Sequence, residues 1–377
     1  MKIRHAVAAF VLSMALCLHA VGEEKVENKA LSFSGYYKNI SSSLDFPFED
    51  SYFDILNRLR LHFDIAPNEY FKAVIEYDVE LQWGDFVGSI PYRIGERMKP
   101  EQFMDIRGIL IDDGDVYATH SLSKAFIQLS SANVDFKAGR YVLDWGSSRA
   151  WNPNDPFYPL NPLYLERDER IAADAVGIEF FINNLSSVSA VVAGEGKRKE
   201  NVRALRCRTN LKETDIALSG FYDDGFSAGI DISRTLWNTE FHTSCRYGRD
   251  GDIELTAGAD RAFAEKFQAG IEYYRNGEGT DDRDKYDWAG WLNGDMPFMA
   301  RDYVFAWGEL EILPLLRLQA HALANINDGG IYVNPVLLFS PTANTELSFG
   351  MVDFNCDNDD EFALYPELLY LQFQLFF

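Results

Sequence analysis

The sequence predicts an all-β chain: one antiparallel transmembrane β-barrel of about 18 strands, with short periplasmic turns and long extracellular loops. Three observations lead there. Hydrophobicity alternates with period two from Leu31 to the end, as in strands with one apolar face. The alternating segments often run about 12 residues or more, whereas globular strands average roughly 5–6 and a tilted membrane strand needs about 9–11. The connectors between them alternate between short and long.

In chain order, the N-terminus comes first. Lys2, Arg4 and His5 precede the apolar run Ala6 to Leu18, and Ala20-Val21-Gly22 fits a small-x-small cleavage site. Residues 1–22 therefore read as a signal peptide, 23–30 as a short periplasmic tail and 31–377 as the barrel. In the second strand Phe53, Ile55, Leu59, Leu61, Phe63 and Ile65 share one face, while Asp54, Arg58, Arg60, His62 and Asp64 share the other. The third repeats this, with Phe71, Ala73, Ile75, Tyr77, Val79 and Leu81 opposing Lys72, Glu76, Asp78, Glu80 and Gln82. In water such apolar faces need a second sheet to cover them. Closing one sheet in lipid pairs every backbone group and leaves no edge.

Short connectors include Pro67-Asn68-Glu69, Ser131-Ala132-Asn133 and Leu313-Pro314-Leu315; long ones run from Trp83 to Val116, Gly146 to Ile171, Gly277 to Ala300 and Cys356 to Phe362. An even strand count places every long one on the same side. Sixteen strands would also fit if weak segments such as Ser186 to Gly194 drop out. The chain ends on the alternating residues Leu369, Leu371, Phe373, Leu375 and Phe377. This tail resembles the assembly signal of bacterial outer-membrane barrels, with Phe373, Leu375 and Phe377 as its carriers. The implied partners are outer-membrane lipid and the barrel-assembly machinery, and the implied location is the bacterial outer membrane.

Composition excludes several classes. With 58 acidic and 35 basic residues the formal net charge is −23, and no basic stripe meets the needs of a nucleic-acid binder. Beyond the leader no apolar run is long enough for a membrane-spanning helix, which needs roughly 20 residues. Cys207, Cys245 and Cys356 remain in the mature chain, an odd number without metal or disulfide spacing. Acidic runs such as Asp112-Asp113-Gly114-Asp115 lack calcium-loop spacing and read as solvated surface. No nucleophile elbow, zinc-protease or phosphate-loop motif occurs. The expectation is no enzyme, no cofactor and no metal site.

The most distinctive segment starts at Gly139-Arg140 and continues through Trp145-Gly146, Asn152-Pro153-Asn154-Asp155 and Asn161-Pro162 to Glu166-Arg167-Asp168-Glu169-Arg170. Apolar parity shifts by one at Gly139, as a glycine bulge would cause; the shift would aim Arg140 and Asp144 into the lumen. Four prolines between Pro153 and Pro162 stiffen the loop, since each fixes φ and restricts its neighbour. A stiff, partly apolar, charged loop suits the barrel interior better than open water.

The element carried by Gly139, Arg140, Trp145, Gly146, Asn152, Pro153 and Asp155 resembles that of porin-like outer-membrane barrel families, and more distantly that of alginate-export-type barrels. The latter resemblance implies an anionic polymer crossing an Arg-lined lumen. The inward residues here depart from it, with about nine Lys or Arg against about sixteen carboxylates, and carboxylate rings favour cations or neutral solutes.

These readings converge on a channel for passive diffusion of small hydrophilic or amphiphilic solutes. Arg140, Asp144, Arg149, Asp155 and Arg167 are the candidate constriction, and Arg58, Arg60, Glu76 and Asp78 a charge ladder along the wall. Salt-bridged wall packing is the structural alternative for the ladder. The alternative function is a plugged barrel acting as a surface-exposed binding or structural protein. A homo-oligomer is compatible with either.

Overall fold

The computed structural model describes residues 30–377 apart from 48–50, 100–101, 158–160, 168, 195, 197–200, 224, 249–250 and 295. The expected signal peptide, nearly all of the expected tail, and Asp168 lie outside the described residues.

The strands are β1 (Leu31–Asp45), β2 (Tyr52–Asn68), β3 (Phe71–Trp83), β4 (Arg107–Asp113), β5 (Val116–Ser130), β6 (Val134–Tyr141), β7 (Ala173–Asn183), β8 (Ser186–Gly194), β9 (Val202–Leu211) and β10 (Thr214–Tyr222). They continue with β11 (Phe226–Leu236), β12 (Thr239–Tyr247), β13 (Ile253–Ala264), β14 (Phe267–Arg275), β15 (Asp302–Leu313), β16 (Leu316–Asn325), β17 (Ile331–Thr342), β18 (Thr345–Asn355) and β19 (Glu367–Phe376). Eighteen of them form a closed antiparallel ring in which each pairs with its sequence neighbours, and β19 returns to β1. Closure runs to the last residue: Gly35 N–H donates to the Phe377 carbonyl at 2.9 Å and Phe377 N–H to the Gly35 carbonyl at 3.0 Å.

The doubtful segment Ser186 to Gly194 is a full strand, so the larger count holds. The connector read as one long loop between Trp83 and Val116 holds more structure than expected: helix α1 (Ile90–Met98) and strand β4. The reason lies in β6. It pairs with Ala125–Ser130 of β5 and stops at Tyr141, where the chain leaves the wall. The outer half of β5 would then be an open edge, and β4 pairs with it from Val116 to Ser121. An unpaired edge at that position would be costly.

Side-chain alternation sorts the residues cleanly. The outer face carries exposed large apolar side chains such as Ile75, Ile127, Val176, Ile178, Leu218, Ile271, Leu337, Phe349, Leu369 and Leu371. That band is stable only against lipid. Buried polar residues such as Asp78, Asp231, His242, Thr256 and Glu272 face inward. Two of the short turns, Lys212-Glu213 and Trp237-Asn238, have positive φ at both central residues, the geometry whose twist matches a two-residue hairpin.

The packed core is inside the barrel. One cluster joins Trp151 of the long loop to Tyr274, Tyr303, Phe305, Tyr332 and Tyr370 of the wall. A second groups Tyr141, Trp145 and Phe157 with Val191, Ala204 and Phe221.

Candidate functional site

The loop between β6 and β7 bonds to strands far from its own, on β14 at one end and on β1 and β2 at the other. Gly146 begins it with φ +116°, and a Cβ there would stand 2.4 Å from Asn152 Oδ1. Only glycine fits both constraints. The same Asn152 oxygen accepts the Ser148 N–H at 3.0 Å, folding residues 146–152 into a compact turn.

That turn docks on inward residues of β11 to β15. The N–H groups of Arg149, Ala150 and Trp151 donate to the Glu272 carboxylate at 2.9, 3.3 and 3.1 Å. Ser148 Oγ lies 2.7 Å from Thr256 Oγ1. The Trp151 indole stacks on Tyr274 with centroids 4.7 Å apart. Asn154, fully buried, donates its amide to Asp231 at 3.0 Å and to the Ile230 carbonyl at 3.1 Å.

The other end of the loop docks across the barrel on β1 and β2. Glu166 accepts from Lys38 Nζ at 2.8 Å and from both terminal nitrogens of Arg58 at 2.8 and 3.0 Å. Glu169 accepts from Arg60 at 2.5 Å and from the Tyr36 hydroxyl at 2.6 Å. Burial alone would raise both carboxyls. The guanidinium and ammonium groups outweigh it and bring Glu166 below its ordinary range and Glu169 down to about 2. Charge-assisted bonds of this kind are the strong ones, and the Arg58–Glu166 pair is bidentate.

The expected site residues divide accordingly. Arg149 stands on the inner wall: its guanidinium lies 4.6 Å above the Trp307 ring and its Nε is 3.1 Å from Asp260, with half the side chain exposed. Arg167 also packs inward, 3.1 Å from the Tyr332 hydroxyl and 5.6 Å above the Phe305 ring. Asp144 is water-exposed and pairs with Arg170 at 2.8 Å. Asp155 is a correction. Its side chain is fully buried, paired with Arg170 and accepting the Phe157 N–H, so it shapes the loop and is not open to a solute.

Arg140 is the larger correction. Gly139 does have an unusual φ of +125°, but β6 pairs with β7 in unbroken register, Ala138 opposite the outward Val176 and Arg140 opposite Asp174. Tyr141, not Arg140, points inward, packing against Phe126 and Val191. Arg140 is 1% exposed and pairs through Nε and Nη2 with Asp174 at 2.8 Å. It also donates to the Leu122 and Met104 carbonyls. It holds the segment before β4 onto the wall where β6 ends.

The ladder residues all face inward and bond to one another, to the loop or to neighbouring inward charges. Arg60 grips Asp78 with two bonds of 2.7 Å, Arg58 donates to Glu80 at 2.7 Å, and Glu76 lies 3.0 Å from both His62 and Lys124. Of the remaining motif residues, Trp145 is buried between Phe157 and Phe221 beneath the Arg206 guanidinium. The Pro153 carbonyl faces Arg246 at 3.5 Å. Sequence reasoning missed Lys38, Glu272, His242 and Trp151. Glu272 was visible as an inward carboxylate, but nothing in the spacing tied it to a segment more than a hundred residues earlier. Among the described residues no group of three or more His, Cys, Asp or Glu side chains is placed to hold a metal ion.

No family model matches the sequence, and no curated protein does. Solved structures do. OccAB4 of Acinetobacter baumannii is similar over 92% of this chain and 98% of its own, at 9% identity and a TM-score of 0.56. OccK5 (OpdH) of Pseudomonas aeruginosa gives 92% and 98% coverage, 10% identity and 0.56. OccD3 (OpdP) of the same organism gives 93% and 92%, 11% identity and 0.53. The likeness is one of fold.

Proposed function

We propose that this chain is an outer-membrane channel for passive diffusion of small hydrophilic or amphiphilic solutes, without chemistry, and that the loop of residues 146–170 is its constriction. One observation carries the reading: the loop is bonded at one end to β11–β15 and at the other to β1–β2, so it crosses the lumen. Arg149 and Arg167 are the loop residues we assign to the narrowest zone. The alternating Phe373, Leu375 and Phe377 serve as the assembly signal, and assembly into a homo-oligomer is compatible with the apolar outer wall. Alginate export is not part of the proposal, because carboxylates outnumber basic groups on the inner wall.

A different observation favours the plugged alternative. The inward faces of β14 to β19 are unusually aromatic, and they pack with Trp151, Phe298 and Phe362 from three separate loops. Such a core could seal the lumen and leave the external loops as a binding surface. Refolding the chain from residue 23 onward into planar bilayers separates the two. Discrete conductance steps support the channel; a folded barrel that never conducts supports the plug.

A further inference from the structure

We infer that Glu272, a wall residue, is the positioning residue of the loop: its carboxylate fixes the turn of residues 149–151 and through it the bore of the channel. The inference rests on the channel reading above and adds to it which single group sets the constriction.

Glu272 is 2% exposed and both its oxygens are used. Oε1 accepts the Ala150 and Trp151 N–H groups, and Oε2 accepts the Arg149 N–H. Three successive N–H groups converging on one carboxylate form an anion-binding nest, here filled from the opposite wall. An apolar residue at 272 would leave those donors buried without acceptors, which backbone groups rarely tolerate.

The wall is shaped to hold this carboxylate still. His242 of β12, equally buried, reaches Oε2 with Nε2 at 3.0 Å. Its Nδ1 stands 3.4 Å from Asp260 of β13, and Asp260 also accepts from Trp307 Nε1 at 2.7 Å. Two inward glycines make the room. A Cβ on Gly258 would stand 2.2 Å from His242 Nε2, and one on Gly270 2.0 Å from Asp260 Oδ1. The niche is therefore built from four strands, β12 to β15. What it holds in place is the turn that puts Arg149 above Trp307 and Trp151 against Tyr274. A shift of that turn moves a half-exposed guanidinium and an indole together.

The test uses the full mature chain with Cys207, Cys245 and Cys356 replaced by Ser, and adds Glu272→Ala or Glu272→Gln. Glu272→Ala is expected to enlarge the conductance step by on the order of half the increase seen on deleting the loop. Glu272→Gln keeps one acceptor oxygen for the loop and should fall between it and the parent. Adding Ser148→Cys with Thr256→Cys, whose hydroxyls are 2.7 Å apart in the native chain, should restore the parent step when oxidised and lose that effect on reduction. A merely structural defect would not be reversed by this local lock. A second readout does not require conduction: a cysteine at position 150, introduced as Ala150→Cys, should react with a maleimide roughly tenfold faster in the Glu272→Ala background, because the local opening is more frequent. Unchanged steps with unchanged labelling overturn the inference. So do enlarged steps that the oxidised lock leaves enlarged. A parent chain that never conducts defeats the channel reading instead, and the labelling rate then still decides whether Glu272 holds the loop.

Discussion

The clamp at the far end of the loop makes a quantitative prediction about acid. Glu169 is held at about 2 in the docked loop, against an ordinary 4.5 once free. Docking therefore binds fewer protons than release. Its contribution is complete well above pH 4.5 and is lost as the pH falls from there toward 2. The whole shift is worth about 3 kcal/mol, of which ~2 kcal/mol is gone at pH 3. That corresponds to about a 30-fold change in the ratio of docked to released loop. Other carboxylates titrate in the same range, so the perturbation is Glu169→Gln, and the quantity is the difference between the two chains. Single-channel records from pH 7 to 3 should show wild-type steps growing larger and noisier with acid. The variant should start nearer its acid behaviour and change less. Parallel profiles for the two chains would refute the argument that Glu169 clamps the loop.

Three further predictions follow from the same geometry. Trp151→Ala removes an indole that is 4% exposed and stacked on Tyr274; it should cost loop docking about 3–5 kcal/mol, seen as protease cleavage within residues 146–157 of a barrel that stays folded. Arg140→Ala leaves Asp174 charged and buried, so heat stability in detergent should fall by an amount reflecting about 3–5 kcal/mol while the conductance step stays unchanged, since Arg140 does not face the lumen. Removing Phe377 breaks both backbone bonds to Gly35 that finish the seam; the expected result is a lower yield of folded barrel, measured by heat-modifiable mobility on a gel.

The barrel was legible because its physics is local. Strand periodicity, the two-residue turns and the alternating tail each depend on residues close in sequence, and together they give the ring of eighteen. What sequence could not supply were the consequences of the chain leaving the wall at Tyr141. The need for β4 to cover the outer half of β5 arises only once the ring is assembled. The misplacement of Arg140 has a sharper cause. The parity shift at Gly139 rests on Tyr141, Leu143 and Trp145 being apolar, but these residues are the start of a packed interior, not of a lipid-facing stripe. Apolar parity marks the lipid side only where the lumen is wet. Arg149 and Arg167 were reachable from the charge-rich loop sequence, whereas Glu272 and His242 are recognisable only from the niche around them. The charge count of the inner wall gives its excess sign but not its free charge, because charges there pair with each other and with the loop, as Arg60 does with Asp78 and Glu169.

We propose that residues 146–170 cross an open lumen and narrow it. The most direct test compares single-channel conductance of the chain from residue 23 onward with that of the same chain lacking Ser148 to Leu165, both refolded and shown to be closed barrels. Discrete steps are expected from the chain that keeps the loop, and clearly larger ones after the deletion. Equal steps from the two chains would contradict this, and so would a folded barrel that stays silent both with and without the loop.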